Sequence, residues 1–420
     1  LEIINTDEHK ITFRDKATNI EIYTTCKELW PGVNYVITVA LESNKVNQTQ
    51  LALIKDLSNI SVEVKSLVKT ESENKSSVIF DEKTRKFTNK FVTTFKDCKA
   101  FFGRTYFTDF PVWVGYIREI VLGPIRKEIV NDLKGGKYGM VTNTSSINIY
   151  NEAETFDEVI GQVWITKESD FDRSFIDLSF EWLKKGKDGL LVKLADCKLS
   201  TTWVEIVGHG LVKVSPIPAY FLKFLETHKT KDLHDKNQKL LLQEYVSTKD
   251  LGEVEYQTNS IIRPDVMLSK SRFQTGIFDS NLVGNLYYSN YYDWQAKTTE
   301  RYLFKFIPEI FTNQGKLGEF ICLESKVNHI QEAMPFEEIV VKVYLENLYS
   351  NGFKLFFEYF SCGMGDGNTE RKLASGSNTF IWAKRTDEHS APSATTLPPK
   401  LKQAFVEAVN RSLTQSNASI

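Results

Sequence analysis

The residues best suited to chemistry crowd into one stretch, Phe278-Asp-Ser-Asn-Leu-Val-Gly-Asn-Leu-Tyr-Tyr-Ser-Asn-Tyr-Tyr-Asp-Trp-Gln295. A loop carrying Gly284 at the start of a helix offers backbone N–H groups, and the positive helix end, to a developing oxyanion. Asn281 can orient a water or a carbonyl, and Tyr291 can donate to a carbonyl oxygen. Asp279 reads either as a general base or as the cap of its own loop. Asp279 and Asn281 are equally good turn formers. Tyr287, Tyr288, Tyr291 and Tyr292 read equally as a packed helix face, and for Tyr287 packing is the better reading. Gly284, Asn285, Tyr287, Tyr288 and Glu119 complete the set expected to line a binding groove. Far upstream, Arg118 precedes Glu119; the pair is either a local salt bridge or a cation that stays charged inside a groove.

Other chemistries find little support. The six histidines (His9, His209, His228, His234, His329, His389) lack metal-ligand spacing, so no metal is expected. There is no Gly-x-Ser-x-Gly elbow. The glycine-rich run Cys362–Asn368 lies between two strand-like segments, not before a helix, and reads as a turn, so no nucleotide cofactor is expected. Net charge is −2, which argues against neutralisation of nucleic-acid phosphates. Five widely spaced cysteines without a CxxC pair point to a reducing compartment, and cytoplasmic is the expectation. The most apolar stretch, 112–125, is interrupted by Arg118 and Glu119, so no membrane span is expected. The chain begins at Leu1 rather than Met, as an excised or processed domain would.

The elements that must position these residues occur twice. Gly103-Arg-Thr-Tyr-Phe-Thr-Asp-Phe-Pro-Val-Trp113 aligns with Gly284-Asn-Leu-Tyr-Tyr-Ser-Asn-Tyr-Tyr-Asp-Trp294 at an offset of 181. Phe156-Asp-Glu-Val aligns with Phe336-Glu-Glu-Ile at 180, and Leu194-Ala195…Trp203 with Leu373-Ala374…Trp382 at 179. Upstream, Phe95-Lys-Asp97 sits over Ile277-Phe-Asp279 after a one-residue slip, and four ordered matches at nearly constant offset indicate a duplication. Each copy reads as a short strand (90–95; 272–278), a helix (112–133; 289–310) and a run of strands. Those runs are 139–150, 159–166, 174–182, 189–199 and 201–214 in the first copy, and 318–327, 339–348, 353–360, 372–377 and 378–384 in the second. One helix followed by alternating strands is α+β, with the helix on a sheet face. At 420 residues the chain exceeds one core. The expected layout is a β-rich segment 1–88, a first unit 89–225, a linker 226–262 that is helix-prone at 236–245, a second unit 263–392, and a C-terminal helix and tail 393–420.

The stretch 278–295 resembles the opening motif of the hot-dog thioesterases of enediyne polyketide biosynthesis, Asp-x-Asn-Leu-Val-Gly-Asn-Val-Tyr-Tyr followed by Tyr-x-x-Trp-Gln-Gly-x-x-Arg-Glu. The Phe156 and Phe336 segments match that family's Phe-Asp-Glu-Val strand entry. The resemblance covers about 270–385 well and about 90–215 weakly. It implies a double hot dog, two antiparallel sheets each wrapped on a long central helix, with thioester sites in the grooves between them. It implies hydrolysis of a polyketide or β-keto acyl thioester carried on acyl carrier protein or coenzyme A, with a polyketide synthase as a further partner. An acyltransferase or decarboxylase, a dehydratase-like enzyme, and a non-catalytic docking domain remain as alternatives. The family's Asn falls on Asn281 and its Tyr on Tyr291. Its Arg falls on Thr299 in the second copy but on Arg118 in the first, where the Tyr position is Phe110. The two copies together hold the set that neither holds alone, so one composite site is expected. The opposite groove, with Phe110 and Pro111 in place of the polar pattern, reads as degenerate.

Overall fold

The computed structural model describes residues 78–100, 103–168, 174–186, 189–208, 210–229, 240–241, 245–259, 263–313, 316–362, 370–387 and 390–417, with five strands before residue 67. It divides into two compact units, Leu1–Lys75 and Ser76–Ile420. In the first unit, β1 (Glu2–Asp7), β2 (Lys10–Arg14) and β3 (Glu21–Thr25) form an antiparallel sheet in sequential order, and β4 (Tyr35–Leu41) pairs antiparallel with β5 (Ile60–Ser66).

The second unit is built on one long sheet. Its first half contains β6 (Val78–Asp81), β7 (Lys86–Val92), helices α1 (Asp109–Val121) and α2 (Arg126–Lys134), then β8 (Tyr138–Ile149), β9 (Glu158–Glu168), β10 (Phe175–Lys185), β11 (Leu191–Gly208) and β12 (Leu211–Val214). Helix α3 (Ala219–His228) and the two-residue strand β13 (Leu240–Leu241) follow. The second half contains β14 (Val254–Gln257), β15 (Val266–Gln274), helices α4 (Asn290–Phe304) and α5 (Pro308–Thr312), then β16 (Glu319–His329), β17 (Glu338–Tyr349), β18 (Gly352–Cys362) and β19 (Glu370–Lys384). Strand β20 (Ser393–Ala394) and helix α6 (Pro399–Asn417) close the chain.

The strand order is the same in both halves. It runs β7-β9-β10-β11-β8 in the first and β15-β17-β18-β19-β16 in the second, with a helix inserted after the opening strand each time. Antiparallel pairing of β8 with β16 joins the halves, and there Ser146 lies opposite Lys326. These positions are 180 residues apart, so equivalent residues meet at the seam, as at an isologous twofold interface. Local backbone repeats too. Gly103 and Gly284 both hold positive φ, +67° and +90°, which glycine adopts without a Cβ clash. Phe156 and Phe336 adopt φ 73° and 71°, costly conformations for bulky residues, each just before the strand that follows its loop.

Burial follows from the alternation of side chains along the strands. Trp113 of α1 packs on Phe91, Phe110 and Trp182 with ring centroids 5.0–5.5 Å apart. Trp294 of α4 occupies the matching place against Tyr291 and Phe273. Core residues of both halves belong to one continuous hydrophobic cluster.

Several boundaries differ from the sequence expectation. The helix expected over 112–133 is split at Gly123-Pro124 into α1, a 3-10 turn and α2, because proline cannot donate the helical hydrogen bond. The helix expected over 289–310 stops at Phe304, and Pro308 opens α5. The strands expected over 189–199 and 201–214 are one strand, β11, followed by the hairpin to β12; those expected over 372–377 and 378–384 are the single strand β19. Strand β11 pairs with β10 without a shift across the expected break, and the register change against β8 there is taken up by an extra residue on β8, Asn143. Strand β7 straddles residue 88, and the helix-prone stretch 236–245 contributes β13, which pairs parallel to β11. Residues 236–239 and 242–244, and most of the glycine-rich run after Cys362, lie outside the described residues.

Helix α6 covers the second half with Leu401 and Phe405 fully buried. The Phe405 ring lies between Tyr302 and Phe353, at 5.7 and 5.1 Å. Phe405→Ala is expected to destabilise the unit by about 3–5 kcal/mol, read as a lower urea midpoint in tryptophan-fluorescence unfolding. An unchanged midpoint would show that α6 adds nothing to the core.

Candidate active site

Helices α1 and α4 rest on the strands of their own halves, α1 on β9 and β11, α4 on β15, β16 and β17. The loop before each helix meets the helix of the other half, which makes two grooves. The first is a narrow crevice of about 20 Å³ lined by Arg118, Met140 and Thr142 from the first half and by Asn281, Asn285, Tyr287, Tyr288, Tyr291, His329 and Glu332 from the second. Arg118 therefore shares one crevice with Asn281 and Tyr291, which lie more than 160 residues further along the chain.

Cross-half contacts fix the arrangement. The Tyr287 hydroxyl donates to Glu119 Oε1 at 2.7 Å, and Glu119 is 3.3 Å from the Arg118 guanidinium. Arg118 is buried and lies over the Tyr288 ring at 5.4 Å, while the Tyr288 hydroxyl donates to the Pro111 carbonyl. Beside Gly115 there is no room for a Cβ, which would come within 2.1 Å of the Tyr287 hydroxyl oxygen. Burial works against the charge on Arg118, but the tyrosines and Glu119 outweigh it and leave the guanidinium more firmly protonated than usual. Its Nε has no hydrogen-bond partner among the described residues.

The opening loop is organised differently from the sequence reading. Asp279 does not line the crevice. Its carboxylate accepts the Gly276 N–H at 2.9 Å and closes a 3-10 turn, so a general-base role is withdrawn. Asn281 Oδ1 accepts the N–H groups of Val283 (2.8 Å) and Gly284 (3.2 Å). The Gly284 amide is therefore satisfied within the turn, and α4 begins only at Asn290, so the expected oxyanion site at a helix end is not formed by Gly284. Asp97 plays the corresponding turn-closing part in the first half, accepting from Thr94 and, at 3.1 Å, from Trp113 Nε1.

Two groups in the crevice escaped the sequence reading. His329, at the end of β16, packs edge-on to the Tyr291 ring at 4.6 Å, and burial pushes its pKa down to about 4. Its Nε2 has no partner among the described residues. Burial also raises the Glu332 carboxyl above the usual range, while Asn285 Nδ2 donates to it. Asn285 Oδ1 is buried without a partner among the described residues. The signal that could have found both is the repeat itself, since Ile149 and Glu152 stand 180 residues before them and line the other groove.

That other groove is larger, about 400 Å³, between the Tyr106–Phe110 segment and the face of α4 carrying Asp293, Ala296, Thr299, Glu300 and Leu303. Tyr106 hydrogen-bonds Glu300, the counterpart of Tyr287 with Glu119. Phe107 and Phe110 replace Tyr288 and Tyr291, and Thr299 replaces Arg118. Arg385 bridges Glu152 and Glu319 at one end. Among the described residues no helix is long and apolar enough to cross a membrane.

No family model and no curated protein matches the chain. Among solved structures it is similar to the 12:0-ACP thioesterase from Umbellularia californica, with 10% identity over 71% of this chain and 94% of that one and a TM-score of 0.49. It is similar to an acyl-ACP thioesterase from Bacteroides thetaiotaomicron, with 12% identity over 72% and 100% and a TM-score of 0.42. The dynemicin thioesterase matches with 21% identity over 34% of this chain and 96% of its own, with a TM-score of 0.30. Likenesses this remote carry no argument about activity.

At the α1 N-terminus, burial pushes the Asp109 carboxyl up to about 6 despite its pairing with Lys99. Between about pH 4 and 6 the folded chain then holds a proton that the unfolded chain has lost, so this residue subtracts stability as pH rises through that window. The stability of Asp109→Asn relative to the parent is expected to grow by about 1–3 kcal/mol from pH 4 to pH 6.5. Urea unfolding at both pH values measures it, and a pH-independent difference would overturn it.

Proposed function

We propose that this chain hydrolyses an acyl thioester, a polyketide or β-keto chain carried on acyl carrier protein or coenzyme A, in the crevice shared by Arg118 and Tyr291. On this reading the halves are paired hot-dog units, roughly 89–225 and 263–392, around one composite site, with 226–262 as the linker and 393–420 as a covering tail. The observation that carries the reading is the complementation. Arg118 exists only in the first copy and Asn281 and Tyr291 only in the second, and both sets line the same crevice.

Arg118 anchors the β-keto oxygen or a carboxylate, since a guanidinium stays charged when desolvated. Water attacks the thioester carbon, and its proton passes to Glu332, whose raised pKa makes it a stronger base than an exposed carboxylate. His329, neutral at pH 7, and Asn285 orient that water. The oxyanion gathers beside Arg118 and the Tyr291 hydroxyl; it collapses, the C–S bond breaks, and the departing thiolate recovers the proton from Glu332. Asn281 shapes the loop that holds these groups. Acyl transfer or decarboxylation in the same crevice differs only in the acceptor or the bond broken, and mass spectrometry of the carrier-bound product separates them. A non-catalytic docking role has one observation in its favour, the commitment of Asn281 and Gly284 to their own turn.

With a β-ketoacyl N-acetylcysteamine thioester as substrate, Arg118→Ala is expected to lower kcat/KM about 30- to 1000-fold. Glu332→Gln is expected to lower kcat about 100-fold or more, and Asn281→Ala to lower activity and loosen the loop. Release of free acid by the parent, followed by thiol titration, is the readout. Unchanged rates in both Arg118→Ala and Asn281→Ala would end the composite-site reading.

A further inference from the structure

The larger groove has lost the polar pattern of its counterpart without filling in. Phe107, Phe110 and Pro111 stand where the other half has Tyr288, Tyr291 and Tyr292, yet the space remains, and it is wide enough for a chain of about ten carbons. Leu303, Ile310, Phe320 and Phe380 give it an apolar share of its lining. Thr299, which also lines it, is only 2% exposed, and its hydroxyl has no hydrogen-bond partner among the described residues. A buried hydroxyl left without a partner costs free energy, so something that bonds it is favoured there.

The charges around the groove select the head group. Lys99 pairs with Asp109, Arg385 with Glu152 and Glu319, and Arg104 with Glu152 and Glu154. Lys297 acts on Asp293 and Glu300, the two carboxyls nearest Thr299 along α4. Four carboxyls, Glu152, Asp293, Glu300 and Glu319, line the groove against two lysines, Lys99 and Lys297, so an anionic head would enter a predominantly acidic surrounding. In the other crevice the buried Arg118 guanidinium is paired, among the described residues, with Glu119, whose side chain is largely exposed.

We propose that this groove is a second ligand site, which takes an unbranched aliphatic chain ending in an uncharged carbonyl or hydroxyl head, an acyl ester, amide or thioester and not a free fatty-acid anion. Thr299 donates to the head-group carbonyl, and in an amide or hydroxyl head the carboxyls of Glu300 and Asp293 accept the N–H or O–H. Burial raises both carboxyls, which also suits a neutral ligand. The two grooves then divide ligands by charge, and the second site does not depend on hydrolysis in the first.

The test uses the full chain and a non-hydrolysable probe, N-(2-acetamidoethyl)decanamide, with decanoate as the anionic comparison, both by isothermal titration calorimetry. Saturable amide binding is expected to persist within twofold in Arg118→Ala. It should weaken about three- to tenfold in Thr299→Val, the loss of one neutral hydrogen bond. Ala296→Trp, which fills the groove one turn earlier on α4, is expected to abolish it, with circular dichroism confirming the fold. Decanoate is expected to bind at least tenfold more weakly. Amide binding that vanishes in Arg118→Ala yet survives both α4 variants, or decanoate binding as tightly as the amide, would overturn the proposal.

Discussion

The antiparallel ladder between β8 and β16 is the constraint on which the second unit depends. It sets Ser146 opposite Lys326, and from that register the rest follows. Equivalent strands run outward in the same order on both sides, and each opening loop reaches the helix of the other half. A slip of one residue along this seam would turn every inward side chain of one half outward. The Tyr287–Glu119 and Tyr106–Glu300 contacts act as a pair of struts that hold the helices to that register.

Within this symmetric frame the grooves have diverged by single side chains. Arg118 opposite Tyr288 makes one crevice narrow and cationic, and Thr299 opposite Phe107 leaves the other wide and lined by more carboxyls than cations. Divergence of this kind is open to a tandem chain and closed to a homodimer, where any substitution appears in both grooves at once. The thioester chemistry proposed for the Arg118 crevice draws on that freedom, since neither half supplies the full set.

Much of the frame was legible in the sequence. Alternation marked the strands, and the recurrence of Gly103/Gly284 and Trp113/Trp294 marked the duplication. What failed had physical causes. Gly123-Pro124 outweighed the periodicity around it and cut the expected helix. The strands β11 and β19 continued where breaks were expected, because unshifted pairing with β10 and β18 carries them through those positions. Asp279 and Asn281 have the composition of reacting groups, but local backbone amides lie closer to them than any groove does. His329 and Glu332 stand on a strand end and its loop, more than thirty residues beyond the motif, and only the wrapping of β16 around α4 brings them to it.

The seam also bears on how the molecule comes apart. Because β8 and β16 are each other's neighbours, neither half has a free sheet edge there while the other is folded, and the loss of one would uncover a row of unpaired amides on its mate. Stability is thus pooled across residues that a linear map would assign to separate domains. Severing the backbone between the halves, anywhere in the 230–239 stretch, would leave two fragments that still need one another, a heterodimer made from what had been a single polypeptide.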